Sequence, residues 1–388
     1  MHSRRRNNSF IEWFLQPFTS RRTDGHQPDF VLLIIIALLL FFGLVFLSSA
    51  SSVLAFYEYQ DTYRFVKQQI IHGILPGLLL FYIAIRINYI YYKKLAWLAL
   101  LGSFGLLILV FFTSLGSSYS AQSWIVFGSI SFQPSELVKL FLIIFLAAWF
   151  EIKGNDIKEF KKTTIPFIII IACIGFLIIK QPDIGTLSII GITALAMYYV
   201  AGARLTHLGL ILAAASVTFV VMIKAAPYRM NRIVAWLNPN VDPQGIGWQI
   251  KQSLIAVGSG GWMGLGIGSS RQKSYLPQPA NDSIFAIIAE EIGFLFSLAF
   301  IILFIILIHR GFQIVRQSDD TFAKLLALGI TTWMALQIFI NIGGMLKLMP
   351  LTGVTLPFMS LGGTNLVVTL LAMGILANIS KFTNQHNR

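Results

Sequence analysis

The sequence has little charge. Only 12% of its 388 residues are Asp, Glu, Lys or Arg, whereas 56% are hydrophobic. A soluble domain carries about 25% charged residues, so this chain could not cover a water-facing surface. The 32 Phe and 8 Trp residues suit lipid-facing helices and interfacial aromatic belts. The composition therefore excludes an ordinary soluble protein and predicts an integral membrane protein.

Cysteine and closely spaced histidines are scarce as well. Cys173 is the single cysteine, which excludes an intrachain disulfide. The six histidines are scattered without metal-ligand spacing, so we predict no metal-binding side-chain cluster. The phosphate-binding glycine motifs GxGxxG, GxxxxGKS and GxxxxGKT are absent, which leaves nucleotide binding unsupported.

Acidic residues are fewer than basic ones, and the formal net charge is +13. In a soluble protein such a charge would point to nucleic acid as a partner. In a membrane protein it is explained by Lys and Arg in the cytoplasmic segments, where they set orientation. We therefore predict membrane lipids, and no nucleic acid, as partners.

Several apolar runs are long enough to cross a bilayer, which takes about 20 residues of helix. The ten runs lie near 30–50, 66–85, 95–113, 135–151, 164–180, 184–203, 205–224, 283–308, 322–345 and 354–379. The predicted fold is an all-α polytopic membrane protein with about ten transmembrane helices. We interpret 30–50 as an uncleaved first helix, because the run and its basic tail are both too long for a signal peptide.

Charge divides the chain into three parts. We predict a cytoplasmic basic tail at 1–29, a membrane domain at 30–380 and a cytoplasmic C-terminal tail at 381–388. With the N-terminus inside, most of the 29 Lys and Arg residues fall in cytoplasmic segments, as the positive-inside rule requires. An even helix count then places both termini in the cytoplasm and the long loop 225–282, between the seventh and eighth runs, outside.

This long loop combines three kinds of sequence. Its cationic side chains, with the residue just before it, are Lys224, Arg229, Arg232, Lys251, Arg271 and Lys273. Its middle, GWQIKQSLIAV, predicts a short interfacial helix with Trp248 and Ile250 toward lipid. Its glycine-rich part, GSGGWMGLGIG, has two interpretations: a backbone that approaches a bound headgroup, or a turn with tight helix packing.

Charged residues inside apolar runs are costly in hydrocarbon and mark either function or an internal pair. Glu136 and Lys139 are three residues apart and share one helix face, so they form either part of a site or a structural ion pair. Asp183 either belongs to a site or caps the helix that follows it. Of Glu290 and Glu291, we expect one to face a polar cavity and the other to find a partner.

Asp282 opens the eighth run. One interpretation is a plain helix N-cap, for which Asp is a favoured residue. The other follows from its setting after the cationic loop. A carboxylate beside anion-binding groups can activate a hydroxyl near a phosphate-bearing donor.

Several strings in the chain resemble the SEDS family (shape, elongation, division and sporulation), which comprises FtsW, RodA and sporulation relatives. The strings are GLVFLSSASS, DTYRFVKQQ, WIVFGSISFQPSELVKL, KQPDIGT, YRMNRIVAWLNPNVDPQGIGWQIKQSLIAVGSGG, NDSIFAIIAEEIG and PLTGVTLPFMSLGGTNL. They span most of the chain, and the long-loop string is closest to the FtsW branch and the sporulation relatives.

The resemblance implies ten helices in the bacterial cytoplasmic (inner) membrane and polymerisation of lipid II into glycan strands. It also implies a class B penicillin-binding protein, a transpeptidase, as partner, and that Asp282 matches the family's essential acid. The expected reaction is an inverting transfer at the outer face, from an undecaprenyl-pyrophosphate-linked glycan to lipid II. Asp282 would act as general base.

The leaving pyrophosphate would be stabilised by cationic side chains or by a divalent cation, Mg²⁺ or Mn²⁺. The residues that we assign to substrate binding are Arg229, Arg232, Lys251, Arg271, Lys273, Glu136, Lys139 and Asp183.

The sequence is also compatible with two other functions. A lipid II flippase would also have many helices and intramembrane charges, but it should have a polar path to both faces. Here the polar residues crowd the predicted outer face, which favours an enzyme. A non-catalytic scaffold of a cell-wall synthesis complex is the second alternative, and the presence of Asp282 weighs against it.

Overall fold

The protein is described by a computed structural model over residues 26–113, 123–127, 130–224 and 226–383. The predicted tails at 1–29 and 381–388 therefore lie largely outside the described residues. Position 225, where the predicted long loop begins, also lies outside them.

Helices make up most of the described chain. In chain order they are α1 (Phe30–Tyr59), α2 (Arg64–Arg86), α3 (Ile90–Lys94), α4 (Ala96–Thr113), α5 (Pro134–Lys153), α6 (Phe160–Lys180), α7 (Ile184–Val200), α8 (Leu205–Lys224), α9 (Pro227–Leu237), α10 (Ile246–Ser259), α11 (Ile284–Gln317), α12 (Thr321–Met345) and α13 (Gly363–Ile379). Between α4 and α5 lies a short antiparallel hairpin of β1 (Ile125–Phe127) and β2 (Ile130–Phe132).

The helix lengths fit a bilayer. Seven helices, α1, α2, α6, α8, α11, α12 and α13, are long and apolar enough to cross it, and α4 and α7 are shorter apolar helices. Helix α5 has 20 residues and carries the Glu136–Lys139 pair. Each of the ten predicted runs overlaps one of these helices, although α1, α2 and α11 extend beyond their runs. The prediction of an all-α polytopic membrane protein is confirmed.

Helices α12 and α13 form the centre of the bundle. In their most apolar windows 78% and 83% of the residues are buried, whereas the corresponding share of α8 is 6%. Helix α8 buries only His207 and Leu208 among its described side chains, so it lies at the periphery of the bundle. The site residues on α12 therefore lie in one of the most buried helices of the bundle.

The tenth predicted run begins too early. Residues 354–362 are irregular, and helix α13 starts only at Gly363. The backbone of Gly353 and Phe358 has positive φ values of 75° and 67°, and Pro357 cannot donate a helical hydrogen bond. We call residues 346–362 the α12–α13 loop. It packs inside the bundle: a Cβ added at Gly43 of α1 would lie 2.3 Å from the Phe358 carbonyl oxygen.

Helix α11 is interrupted at Gly293, whose φ of 74° and ψ of −177° are not helical. The glycine loop, which we define as residues 260–268, fills the interruption. It exchanges four backbone hydrogen bonds with α11: Leu265 N to Glu290 O (3.0 Å), Gly266 N to Glu291 O (3.0 Å), Phe294 N to Gly261 O (2.8 Å) and Leu295 N to Trp262 O (3.2 Å).

The first half of α11, from 284 to 293, is buried. Its second half is largely lipid-facing, with exposed residues such as Phe294, Phe296 and Ile305.

Close contacts at two of the glycines support one of the two interpretations of the glycine-rich sequence. A Cβ at Gly264 would lie 2.1 Å from the Glu291 carbonyl oxygen, and one at Gly260 would lie 2.2 Å from that of Ala289. These glycines therefore allow close packing of the loop against α11, which is the tight-packing alternative.

The two ends of the membrane domain meet. The His26 amide donates to the Lys381 carbonyl oxygen at 3.0 Å, and the Asp29 amide donates to Ser380 Oγ at 2.9 Å. Asp29 also lies 3.6 Å from Arg310, near the end of α11. The start of α1 and the ends of α11 and α13 are thus on the same side of the bundle.

Candidate active site

Asp282 directly precedes α11, at the end of the long loop. The helix begins at Ile284, and Ser283 occupies the N-cap position without a capping hydrogen bond from its side chain. Asp282 is thus one residue too early to be the N-cap itself. The plain N-cap interpretation does not describe its place.

One oxygen of the Asp282 carboxylate is held and the other is free. Oδ2 accepts a hydrogen bond from Gln249 Nε2 at 3.2 Å, and the same amide nitrogen lies 3.1 Å from Ser283 Oγ. Oδ1 is buried and has no hydrogen-bond partner within the described part of the chain, although the residue as a whole is partly exposed. A buried carboxylate oxygen with an unused acceptor position can take a proton from a bound hydroxyl.

The electrostatic setting of Asp282 makes it a stronger base than an ordinary Asp. Burial raises the pKa of its carboxyl, while the Gln249 hydrogen bond, the backbone amides of Asp282 and Ser283 and the positive charge of Arg232 oppose that rise. Desolvation disfavours the charged form of a carboxylate, so the burial effect has the expected sign. A pKa moved toward neutrality suits a general base.

Two amide side chains on α12 connect Asp282 to the α12–α13 loop. Asn341 Nδ2 donates to the main-chain oxygens of Asp282 and Val354, both at 2.8 Å. Gln337, one helical turn earlier, donates from Nε2 to the next loop carbonyl, that of Thr355, at 3.1 Å. The amides thereby fix an irregular stretch of backbone that would otherwise leave buried carbonyls unpaired.

Glu136 and Lys139 form a buried pair on α5. Lys139 Nζ lies 2.9 Å from Glu136 Oε2 and 2.9 Å from Gln337 Oε1, and both charged residues are at most 5% exposed. The ammonium also lies 4.9 Å from the centroid of the Trp333 ring. The pair is thus tied through Gln337 to Thr355 of the α12–α13 loop, next to Val354, which Asn341 ties to the main chain of Asp282.

Lys139→Met should lower the free energy of unfolding by about 3–5 kcal/mol, since it leaves Glu136 buried and unpaired. The control is Lys93→Met. Lys93 lies 2.7 Å from Glu151, but its side chain is 38% exposed. An exposed pair contributes at most about 1 kcal/mol. Thermal unfolding of both variants in one detergent would compare them, and equal small shifts would contradict a stabilising role for the buried pair.

The predicted cationic ligands differ in exposure and in the hydrogen bonds that their charged groups already make with the protein. Arg232 Nη1 donates to the Leu351 carbonyl oxygen at 3.1 Å, and its charge acts on Asp282. Arg229 is buried against its own neighbours, donating to Tyr228 Oη at 2.8 Å and to Met222 O at 3.1 Å. Lys273 Nζ donates to Gly268 O at 2.7 Å. Lys251 is half-buried and Arg271 is exposed. Arg232 is therefore the cation that the structure brings into the electrostatic environment of Asp282.

Asp183 caps α7, because its Oδ1 accepts a hydrogen bond from the Thr186 amide at 2.9 Å. This contact is the capping alternative that the sequence left open. The turn nevertheless borders the site. A Cβ at Gly185 would lie 2.4 Å from Val354 Cγ2 in the α12–α13 loop. The start of α7 that Asp183 caps therefore packs against the α12–α13 loop at Gly185.

Both acids inside α11 find partners. Glu290 is fully buried and accepts from the long loop: Ser270 Oγ (2.5 Å), Ser259 Oγ (3.3 Å), Arg271 N (3.2 Å) and Gln272 N (3.2 Å). Glu291 accepts a hydrogen bond from Ser49 of α1. Glu290 therefore anchors the segment that carries Arg271 and Lys273.

One expected orientation in the long loop is wrong. The stretch GWQIKQSLIAV does form a helix, α10, and Trp248 is 38% exposed. Ile250, however, is only 2% exposed and belongs to the core. Helix α10 packs against α11, so its apolar face is covered by protein at Ile250.

The sequence reasoning missed the amides. Besides Gln249, Gln337 and Asn341, it overlooked Gln69, which donates to Ser360 O at 3.2 Å and accepts from the Gly362 amide at 3.0 Å. Ser360 Oγ in turn donates to Asn281 O at 2.6 Å. A usable signal existed, because Gln and Asn inside apolar runs such as ALQIFINIGG are costly in lipid and need partners.

The residues do not fit a metal ion held by the protein. Within the described ranges, no group of three His, Cys, Asp or Glu side chains is placed to bind a metal ion. A Mg²⁺ or Mn²⁺ ion that arrives with a pyrophosphate substrate stays a prediction, because Mg²⁺ is commonly held by one carboxylate plus phosphates.

Fold and site together define a polytopic membrane protein with a partly buried carboxylate, that of Asp282, which is hydrogen-bonded to Gln249 and whose main chain is held by Asn341. The FtsW/RodA/SpoVE family model, described as a cell cycle protein, matches residues 30–385. The chain belongs to this family.

Relatives support the same conclusion along most of the chain. Stage V sporulation protein E of Bacillus subtilis is 40% identical over 366 residues, covering 93% of this chain and 99% of that protein. The probable peptidoglycan glycosyltransferase FtsW of Geobacter metallireducens is 37% identical over 355 residues, covering 91% and 94%.

Solved structures share the fold. A chain from a peptidoglycan synthase complex that coordinates polymerization and crosslinking superimposes with a TM-score of 0.74 at 24% identity, covering 92% of this chain and 99% of that chain. The rod shape determining protein RodA of Thermus thermophilus gives a TM-score of 0.67 at 24% identity, covering 92% and 98%.

Proposed function

We propose that the protein is a peptidoglycan glycosyltransferase that polymerises lipid II at the outer face of the bacterial cytoplasmic membrane. The observation that carries this proposal is the buried Oδ1 of Asp282, which has no hydrogen-bond partner among the described residues, on a carboxyl whose pKa is lowered by the charge of Arg232. The relatives named as probable peptidoglycan glycosyltransferases, at 37% identity over most of the chain, supply the substrate class.

In the proposed reaction, a sugar hydroxyl of lipid II attacks the anomeric carbon of the growing glycan. Asp282 Oδ1 takes the hydroxyl proton as the new C–O bond forms. The bond between the anomeric carbon and the undecaprenyl pyrophosphate breaks, and the pyrophosphate leaves with the bonding electron pair. Attack opposite to the leaving group inverts the anomeric configuration. Pyrophosphate is a good leaving group, so no covalent enzyme intermediate is needed.

The leaving pyrophosphate gathers negative charge, which Arg232 is positioned to stabilise. Arg271 and Lys273, carried on the segment anchored by Glu290, are further candidates. Each fixed charge or donor of this kind contributes about 2.7–4 kcal/mol to transition-state stabilisation in known cases. Arg229 and Lys251 are assigned to substrate binding only as sequence-based proposals, as are the more distant Glu136, Lys139 and Asp183.

The proposed orientation places both termini in the cytoplasm and residues 225–282 outside. The Lys and Arg distribution supports it, as does the meeting of the two chain ends through Asp29 and Ser380. With this orientation Asp282 opens toward the outer leaflet, where lipid-linked glycan is extended. The proposed partner is a class B penicillin-binding protein, supported by the structural similarity to a chain of a peptidoglycan synthase complex.

Purified protein incubated with lipid II tests the function directly, with and without a class B penicillin-binding protein. We expect glycan polymer of many disaccharide units, made more efficiently with the partner present. Transfer of lipid II between leaflets of a vesicle without chain lengthening would instead indicate a flippase. If the complex with the partner forms but neither moves lipid II between leaflets nor polymerises it, the protein is a scaffold.

Arg232→Gln should shift the pH dependence of polymerisation. The Arg232 charge lowers the pKa of Asp282, so its removal raises that pKa further. A general base works only when deprotonated, and activity is lost as pH falls through its pKa. The acidic limb of the rate–pH profile should therefore move to higher pH.

Arg232→Lys keeps the charge and should move the limb less. Arg271→Gln is the matched control, because Arg271 is exposed and does not figure among the causes of the Asp282 shift. An unchanged acidic limb in Arg232→Gln would contradict the assignment of Asp282 as the base that Arg232 tunes.

A further inference from the structure

Asn341 has a fixed amide orientation. Its Nδ2 lies 2.8 Å from two main-chain carbonyl oxygens, those of Asp282 and Val354. Carbonyl oxygens only accept hydrogen bonds, so the nitrogen side of the amide must face them. The amide oxygen, Oδ1, consequently points away from both carbonyls.

That oxygen is buried and unpaired. Asn341 is 3% exposed, and its Oδ1 has no hydrogen-bond donor among residues 26–113, 123–127, 130–224 and 226–383. A buried acceptor without a partner costs free energy and needs an explanation in a native structure. Asp282 Oδ1 is a second acceptor of the same kind, on the residue whose main chain Asn341 holds.

Gln337 shows what a purely structural amide looks like at this place. It lies one turn earlier on the same face of α12 and holds the adjacent loop carbonyl, that of Thr355. Its Oε1, however, accepts from Lys139 Nζ at 2.9 Å and from Trp333 Nε1 at 2.6 Å. The two amides differ in how many carbonyls they hold, two for Asn341 and one for Gln337, and in their oxygens: among the described residues the oxygen of Gln337 has two donors and that of Asn341 has none.

We propose that Asn341 binds the acceptor substrate, with Oδ1 accepting a hydrogen bond from a hydroxyl or amide N–H of its sugar. This inference rests on the proposed function and names a binding residue for it. Two unpaired acceptor oxygens, on Asn341 and Asp282, suit a donor-rich saccharide. They do not suit pyrophosphate, whose oxygens only accept. The sugar of the acceptor therefore lies toward Asn341, and the pyrophosphate of the donor lies toward Arg232.

Equilibrium binding of lipid II tests the assignment without requiring polymerisation. We would measure Kd for the wild-type protein, Asn341→Ala and Gln337→Ala, with the thermal unfolding temperature of each. Both variants lose an amide that holds the α12–α13 loop. Asn341→Ala should weaken binding about three- to tenfold more than Gln337→Ala does, the loss expected for one hydrogen bond. If Asn341→Ala fails to fold, Asn341→Ser takes its place in the binding experiment, because the Ser hydroxyl can still donate to one of the two carbonyls.

Lipid II analogues that each lack one sugar hydroxyl or the N-acetyl group identify the contact. One analogue should bind the wild-type protein about three- to tenfold more weakly than lipid II does. The Asn341 variant should bind that analogue and lipid II with equal Kd values. Equal Kd values for the Asn341 and Gln337 variants, without such an analogue, would overturn the inference. Restoration of binding by added Mg²⁺ would also overturn it, by making Asn341 a cation ligand. Absence of polymer from wild-type protein would contradict the proposed function while leaving these Kd values to decide on Asn341.

Discussion

Asp282→Asn is expected to reduce glycan polymerisation by roughly 10²–10⁴-fold, the range typical of a lost general base. The amide is close in size to the carboxylate and can still accept from Gln249, so the local structure should persist. It cannot take a proton from an attacking hydroxyl at neutral pH. The variant should therefore fold, bind its partner and bind lipid II, yet make almost no polymer.

The measurement is polymer length and yield from lipid II at matched protein levels, with the class B partner present. Gln249→Ala is the companion variant, because it removes the hydrogen bond to Oδ2 and leaves the carboxylate in place. It should retain much more activity than Asp282→Asn. Near-wild-type synthesis by Asp282→Asn would contradict the assignment of Asp282 as the general base. A titration with Mg²⁺ and Mn²⁺ separates the role of base from that of metal ligand.

Gly264→Ala is expected to be among the most destabilising single substitutions in the protein. Gly264 has a φ of +80°, and an added Cβ would lie 2.1 Å from the Glu291 carbonyl oxygen. The neighbour is backbone and cannot move aside without breaking the hydrogen bonds between the glycine loop and α11. We expect a loss of about 4 kcal/mol or more in the free energy of unfolding, together with loss of activity.

Two other glycines separate the causes of that loss. Gly268 has a φ of +84° with nothing within 4 Å of an added Cβ, so Gly268→Ala should cost only the conformational penalty of about 1–2 kcal/mol. Gly258 lies in α10 with open space around its Cβ position, and Gly258→Ala should be neutral or slightly stabilising. Thermal unfolding in detergent gives the order. Equal effects at Gly264 and Gly268 would refute a role for close packing.

Several residues of the candidate site could be predicted from the type and spacing of residues in the sequence. Glu136 and Lys139 were expected to meet because helical geometry brings residues three apart together, and they lie 2.9 Å apart. Asp282 stood out because an acid follows a cationic loop. Its free oxygen, and the effect of Arg232 on its pKa, depend on residues far away in sequence. No local pattern could give them.

The apolar spans could be read from local composition, because a helix that crosses lipid must satisfy its own backbone and present apolar side chains for about 20 residues. Where helices stop inside the bundle depends on long-range contacts. Residues 354–362 are as apolar as a helix, yet Gln337, Asn341 and Ser360 hold this stretch open through contacts with its backbone.

The same reason explains the break in α11. Its sequence is mostly apolar around the two acids Glu290 and Glu291 and contains no proline, and the glycine loop supplies the hydrogen bonds that allow Gly293 to leave the helical conformation. Irregular backbone in a membrane protein is stable only where other elements pair its polar groups. Those pairings are long-range, so tertiary structure, and not local sequence, placed Asn341 beside Asp282.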